Sequence, residues 1–307
     1  MFWKRKRIGL ALGGGGARGL AHIGVLRVLE KEEIPIHLIA GTSIGALVGG
    51  AYASGLNADE LQKKVEEYLS SNEFRSSAMK AFGAAHAKGE VGLTQRIQTY
   101  FKNHFYLIQA MFKPGIFSNE DFQATIDYFI PDIQVEETRI PFHAVATDLV
   151  SGEQITLSKG SLRQAVMASC AVPGAIAPLK EGERLLSDGG IICRVPSPVA
   201  RQEGADIVIA VVVDRGIGSE ELRTVVDVYL RVSEIMGERL KQCELVEADV
   251  VIRPEVGGLH WSSFSEAMNL IDEGEQAARE KLDDIRRLVP GIKKRFRLRK
   301  VPNSHKT

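Results

Sequence analysis

Cysteine is scarce in this chain, and what little there is excludes two classes of architecture. Cys170, Cys193 and Cys243 are the only three in 307 residues, widely spaced and odd in number. They form no disulfide framework and fit no zinc-ligand spacing, and they suit a reducing compartment, the cytoplasm. Net charge is absent too: 39 basic residues balance 39 acidic ones. Aromatics make up only 7%. Long apolar runs are missing as well. The uncharged stretch 34–58 is interrupted by five glycines, Pro35 and His37, so it reads as strand, turn and buried helix rather than a membrane span. The apolar segment after "MFWKRKR" stops after five residues at four glycines, too short for a secretory signal core. Internal repeats and low-complexity segments are also lacking.

The zero net charge hides an uneven distribution. Residues 4–7 are "KRKR" and residues 293–300 are "KKRFRLRK", while every acidic residue lies in the body between. An acidic body with two basic ends does not suit nucleic-acid binding. The basic ends, interleaved with Phe2, Trp3, Phe296 and Leu298, suit either peripheral contact with an anionic membrane, such as the inner membrane surface, or solvated tails.

What is present is ordinary globular composition, 44% hydrophobic and 25% charged. Short apolar runs at 7–12, 34–41, 140–149 and 204–214 read as buried strands. Residues 17–33 and 44–55 read as helices. Asn57 with Glu60, and Ser161 with Gln164, read as capping boxes. Strand–helix alternation points to a mostly parallel α/β sheet. From about residue 219 the chain turns helical, with Ala267, Leu270, Ile271, Gly274, Ala278, Leu282 and Ile285 on one face of a long helix. Residues 72–117, rich in large apolar side chains, read either as a packed helix and turn or as a lid over an apolar site.

The stretch "GLALGGGGARGLAHIGVL" (9–26) raises the functional question. Gly14-x-Gly16-x-x-Gly19 after a strand matches a dinucleotide loop, but no acid closes the second strand. A phosphate loop would need Lys and Ser or Thr where Leu20 and Ala21 stand. Instead the second strand ends in "GTSIG" (41–45), the G-x-S-x-G pattern of a nucleophile elbow, with Gly41 and Gly45 flanking Ser43. In a parallel sheet the glycine loop and the elbow share an edge, so the amides of Gly14, Gly15 and Gly16 can face an oxyanion formed at Ser43. The seven histidines give no evident partner for Ser43, His260 in "GGLHWSSF" excepted. Asp148, Asp188 and Asp214 stand at strand ends, and Asp188 in "LLSDGGI" is followed by Gly189 and Gly190.

The combination "GGGGARG", "GTSIG" and "DGG" resembles the patatin-like phospholipase family, especially bacterial members related to the neuropathy-target-esterase catalytic domain. "AHIGVL", "ASCAVPGAIAP" and "RQEGADIVIAVVV" are similar to its connecting segments, so the resemblance spans roughly residues 8–215. It implies a three-layer α/β/α sandwich and a Ser–Asp dyad, with Ser43 as nucleophile and Asp188 as proton acceptor. It also implies an oxyanion hole of Gly14, Gly15 and Gly16. Arg18, beside Gly19, either orients that loop or meets a lipid phosphate. No metal or cofactor is implied. Cys193 and Arg194 stand where relatives often carry smaller or amide residues, which bears on substrate preference. The expected organisation is a basic lead segment (1–7), a catalytic core (8–215), a helical part packed on it (216–292) and a basic tail (293–307). The expected substrate is a phospholipid, lysophospholipid or other long-chain carboxylic ester. The rival expectation is a catalytically silent lipid-binding or regulatory protein on the same fold.

Overall fold

The computed structural model describes residues 6–72, 74, 118–214, 216–218, 221–259 and 263–289. Its frame is one mixed sheet of eight strands: β1 (Ile8–Leu12), β2 (Leu38–Thr42), β3 (Phe142–Asp148), β4 (Gln154–Leu157), β5 (Leu179–Glu181), β6 (Arg184–Asp188), β7 (Ile207–Val211) and β8 (Val250–Ile252). The order is β5-β6-β3-β2-β1-β7-β8, with β4 paired to β3. From β8 to β3 all neighbours run parallel. The pairings of β4, β5 and β6 are antiparallel.

Helices cover both faces, which makes a three-layer α/β/α sandwich. Every strand residue of β1 and β7 is buried, as expected where both faces of a parallel sheet are covered. Leu10, Leu12, Ile39, Ile207 and Ile209 point to the larger core. That core is filled by α1 (Ala21–Lys31), α2 (Ile44–Ala53), α3 (Ala58–Ser70), α4 (Asn119–Phe129), α5 (Leu162–Ser169) and the long C-terminal helix, α8 (Ala267–Leu288). The alternating residues Ala11, Ala40, Val208 and Ala210 face a second core, against Val199 and Ala200 of α6 (Ser197–Gln202). α7 (Val225–Glu244) lies between β7 and β8 in the chain. Among the described residues no helix is long and apolar enough to cross a membrane.

The seven apolar positions expected on the last helix are all buried. α1 and α8 cross almost backbone to backbone. A Cβ on Gly24 would stand 1.9 Å from the carbonyl oxygen of Ile271, and one on Gly274 equally close to that of Ala21. Gly24→Val therefore has to push the two helices apart, and a loss of about 3 kcal/mol in urea unfolding is expected. Beside this crossing, Arg27 of α1 bonds Asp59 at 2.8 Å and Glu275 at 2.7 Å, tying α3 and α8 to the same side.

The capping box at Asn57 and Glu60 is present in both directions. At Ser161 only half of one forms: its hydroxyl accepts from the Gln164 amide. The helix read over 17–33 is broken into a 3-10 turn, Gly16–Leu20, and then α1. The C-terminal part is not wholly helical, because Val250–Ile252 joins the sheet as β8, parallel to β7. The lid reading of residues 72–117 falls almost entirely outside the described residues.

Candidate active site

β3 acts as the ruler that sets the site. One of its edges pairs with β4. The other is shared end to end by two strands. β2 stops with Thr42 opposite Val145, and β6 stops with Asp188 opposite Ala146. Ser43 and Asp188 therefore leave the sheet from abutting strand ends, although 145 residues separate them in the chain.

Ser43 occupies the sharp turn between β2 and α2. Its φ of 54° and ψ of −126° are unusual for a residue with a side chain, and such strain costs about 1–3 kcal/mol. Close approach holds it there. A Cβ on Gly45 would stand 2.1 Å from the Leu12 carbonyl oxygen, and one on Gly41 2.6 Å from the Cα of Ala46. The Ser43 amide donates to the hydroxyl of Ser169 at 3.0 Å, and the Thr42 hydroxyl donates to the Cys193 carbonyl at 2.9 Å. The sequence reading missed Ser169. "MASCAVPG" gives no local sign of it; in the fold its hydroxyl is fully buried at the end of α5.

Asp188 is 6% exposed and Ser43 9%. Asp188 Oδ1 accepts from the Gly190 amide at 2.6 Å, and the Thr147 hydroxyl donates to the Asp188 carbonyl at 2.9 Å. Oδ2 is buried without a hydrogen bond of regular geometry among the described residues. Burial raises the carboxyl pKa to about 6, against the opposing pull of the Ser43 hydroxyl, the Gly190 amide and the Arg194 charge. The two side chains are close enough to influence each other, in a looser contact than a closed dyad would make. Gly189 packs against the backbone of β3 at Val145.

The glycine loop lies beside them, with Gly14 against the Ser43 side chain. Its amides are not equivalent. The Gly14 amide already donates to the Arg194 carbonyl at 2.9 Å, and the Gly13 amide to that of Val211. This corrects the three-glycine expectation: Gly14 positions the loop and has no N–H to spare. Among the described residues, Gly15 and Gly16 donate to no protein acceptor. Arg18 is buried, and its Nε donates to the Gly15 carbonyl at 3.0 Å, so it holds the loop. His22 Nε2 donates to the Gly13 carbonyl at 2.8 Å, and burial lowers its pKa to about 4, keeping it neutral at neutral pH. Gly19 packs on Ile44.

The other candidates are structural. Asp148 accepts from the amides of Val150 and Leu185 and from the Ser151 hydroxyl. Asp214 pairs with Lys241 and Arg194. His37 Nδ1 accepts from the Ile8 amide, and His143 lies near Glu203. His86, His104, His260 and His305 lie outside the described residues.

A cavity of about 140 Å³ opens at Ser43. Apolar side chains line nearly all of it: Leu20 and Ile23 from the first helical turns, Leu47 and Val48 from α2, Leu61 and Val65 from α3, Phe129 from α4, and Val172 and Ile176 after α5. Gly16 reaches its rim beside Ser43.

The chain is 36% identical over 205 residues to an uncharacterized NTE family protein of Mycobacterium tuberculosis, covering 67% of this chain and 48% of that one. It is 34% identical over 217 residues to patatin-like phospholipase domain-containing protein 6 of Homo sapiens, covering 70% of this chain and 14% of that protein. The chain thus spans about half the length of the mycobacterial relative and about a seventh of the human one. Among solved structures, VipD from Legionella pneumophila aligns over 91% of this chain and 67% of its own, at 16% identity and a TM-score of 0.46. The family model described as patatin-like phospholipase matches residues 10–200, so this chain belongs to the patatin-like phospholipase family.

Proposed function

We propose that this chain is a serine-dependent lipid acyl hydrolase acting on carboxylic esters of long-chain acids, phospholipids or lysophospholipids among them. The observation that carries the reading is the placing of a strained serine beside a buried carboxylate of raised pKa, at the mouth of an apolar cavity. The catalytic unit comprises residues 8–215, with 216–292 packed on it.

The chemistry follows from the groups present. The acyl chain enters the cavity and sets its ester carbonyl above Ser43. Ser43 Oγ attacks the carbonyl carbon as Asp188 accepts the hydroxyl proton. The amides of Gly15 and Gly16 donate to the oxyanion of the tetrahedral intermediate. Collapse expels the alcohol, which takes the proton from Asp188 and leaves an acyl group on Ser43. Water, deprotonated by Asp188, then attacks the acyl carbonyl, and Ser43 Oγ leaves with the proton from Asp188 as the acid is released. An ordinary aspartate, with a pKa of about 3.9, is a weak base for this task. Burial shifts Asp188 toward the working range while leaving most of it ionised at neutral pH. Membrane contact at the basic ends belongs to the same reading.

A fluorophosphonate probe tests the proposal. Wild-type protein is expected to take up one probe per chain, with the adduct on the peptide that carries Ser43. Absence of an adduct, together with retained binding of fatty acyl ligand, would instead identify a silent lipid-binding protein.

A further inference from the structure

α7 is amphipathic in the reverse sense. Helices on a globular body usually turn the apolar stripe inward. Here the positions spaced three and four apart from Arg231 to Lys241 carry charge and are the less exposed side of the helix. Lys241 is buried against Asp214 at 2.9 Å and Glu238 at 2.6 Å, and Arg231 pairs with Glu234 at 3.0 Å. The opposite stripe, Val225, Tyr229, Val232 and Met236, looks outward, with Val226 and Leu230 beside it. Val225 is 87% exposed, Tyr229 73% and Met236 67%. The helix turns its charged side to partners in the helix and the body and leaves its apolar side outward.

Its place in the fold says what meets that side. The last turn of α7 grips the segment after the DGG motif: the Glu244 carboxylate accepts from the amides of Arg194 and Val195 at 2.9 and 2.8 Å. The carbonyl of that same Arg194 accepts from the Gly14 amide. The helix is thus fastened, through Arg194, to the glycine loop at the sheet edge that carries Ser43. Val172, which lines the cavity, and Ile191, three residues beyond Asp188, are exposed as well.

We propose that α7 is an interfacial docking helix, whose outward stripe seats among the acyl chains of a lipid surface and holds the Ser43 edge against it. This rests on the lipid-ester reading of the site. An acyl chain moving from a lipid aggregate into an apolar cavity avoids water only if the cavity edge lies on the aggregate. The stripe suits that role in composition: aliphatic side chains with one ring that carries a polar tip, and no run of charge of one sign. It is one helix wide, well short of the roughly 20–30 residues per side of a stable protein–protein interface. Lipid binding through it is driven by apolar burial and is expected to persist at high salt.

Flotation of the full chain with phosphatidylcholine vesicles tests this, comparing wild type with the triple variant Val225→Glu, Tyr229→Glu, Met236→Glu. All three positions are exposed, so the variant is expected to fold normally, with circular dichroism as the check. Wild type is expected to float with vesicles at low salt and at about 1 M salt. The variant is expected to lose at least about tenfold in partition and in hydrolysis of vesicle-embedded ester. Its hydrolysis of a water-soluble short-chain ester is expected to match wild type. Wild type that stays in solution, or a variant that floats equally well, overturns the docking role. So does wild-type flotation that is abolished by salt, which assigns the contact to basic residues. A change from dimer to monomer by light scattering, with vesicle partition unaltered, overturns it in favour of a second copy of the chain. Failure to hydrolyse the soluble ester, with flotation as expected, refutes the hydrolase reading and leaves the docking result standing.

Discussion

Ser43→Ala is expected to lower ester hydrolysis by at least about 10⁴-fold while leaving the protein folded. In the proposed mechanism the substitution removes the atom that forms the acyl-enzyme and nothing else of consequence. The backbone bonds that fix the elbow, from the Ser43 amide to Ser169 and from the Thr42 hydroxyl to Cys193, do not involve the Ser43 side chain. Gly15, Gly16 and the cavity persist, so substrate is still bound and residual rate above background is expected. Hydrolysis of a long-chain ester by the purified variant measures the loss, and retention of more than a few per cent of activity would assign the nucleophile elsewhere. Stability supplies an independent check. Alanine keeps the strained φ of 54°, whereas glycine adopts it freely. Ser43→Gly is therefore expected to unfold at higher urea than Ser43→Ala, by about 1 kcal/mol, despite glycine's greater freedom in the unfolded chain.

How much of this was legible in the sequence depended on whether a signal was local. The apolar runs of β1, β2, β3 and β7 announced themselves because strands buried on both faces are apolar throughout. The elbow was legible for a related reason: Gly41 and Gly45 mark a turn too crowded for side chains. The short strands β5 and β8, three residues each, carry too little pattern to stand out from a loop or a helix end. The other missed features are pairings between distant segments. Nothing near Gly14 indicates that its amide is claimed by Arg194, and nothing near Ser43 points to Ser169. The adjacency of Ser43 to Asp188 is of this kind too: it arises because β2 and β6 end on neighbouring residues of β3. The motif resemblance supplied what local reasoning could not, since it names residues as a set. α7 is the opposite case. An apolar helix stripe ordinarily marks a core face, and only the ion pairs of Lys241 and Arg231 on the opposite side reveal that this one points out.

Asp188→Asn is expected to separate activity from stability, with opposite signs. Asparagine preserves the shape and the acceptor for the Gly190 amide, but it cannot take the Ser43 proton. A loss of about 10³-fold in kcat/KM is expected. In the wild type, kcat/KM for a soluble ester is expected to rise about tenfold per pH unit below 6 and to level off above it, because the ionised carboxylate is the active form in the proposed mechanism and burial raises its pKa to about 6. The residual activity of the variant is expected to lack that limb. Stability moves the other way. Burial makes the folded state hold this proton more tightly than the unfolded chain, whose aspartate titrates near 3.9. Between pH 4 and 6 the folded protein binds more protons, so stability falls as pH rises through that window and stays reduced above it. Desolvating the charge costs about 1–3 kcal/mol at neutral pH. Asp188→Asn avoids that cost, so it is expected to unfold at higher urea than wild type at pH 8 and to show no such gain at pH 4. A variant less stable than wild type at pH 8 would mean that the carboxylate is held by attraction rather than kept reactive by burial, and the base role would fall with it.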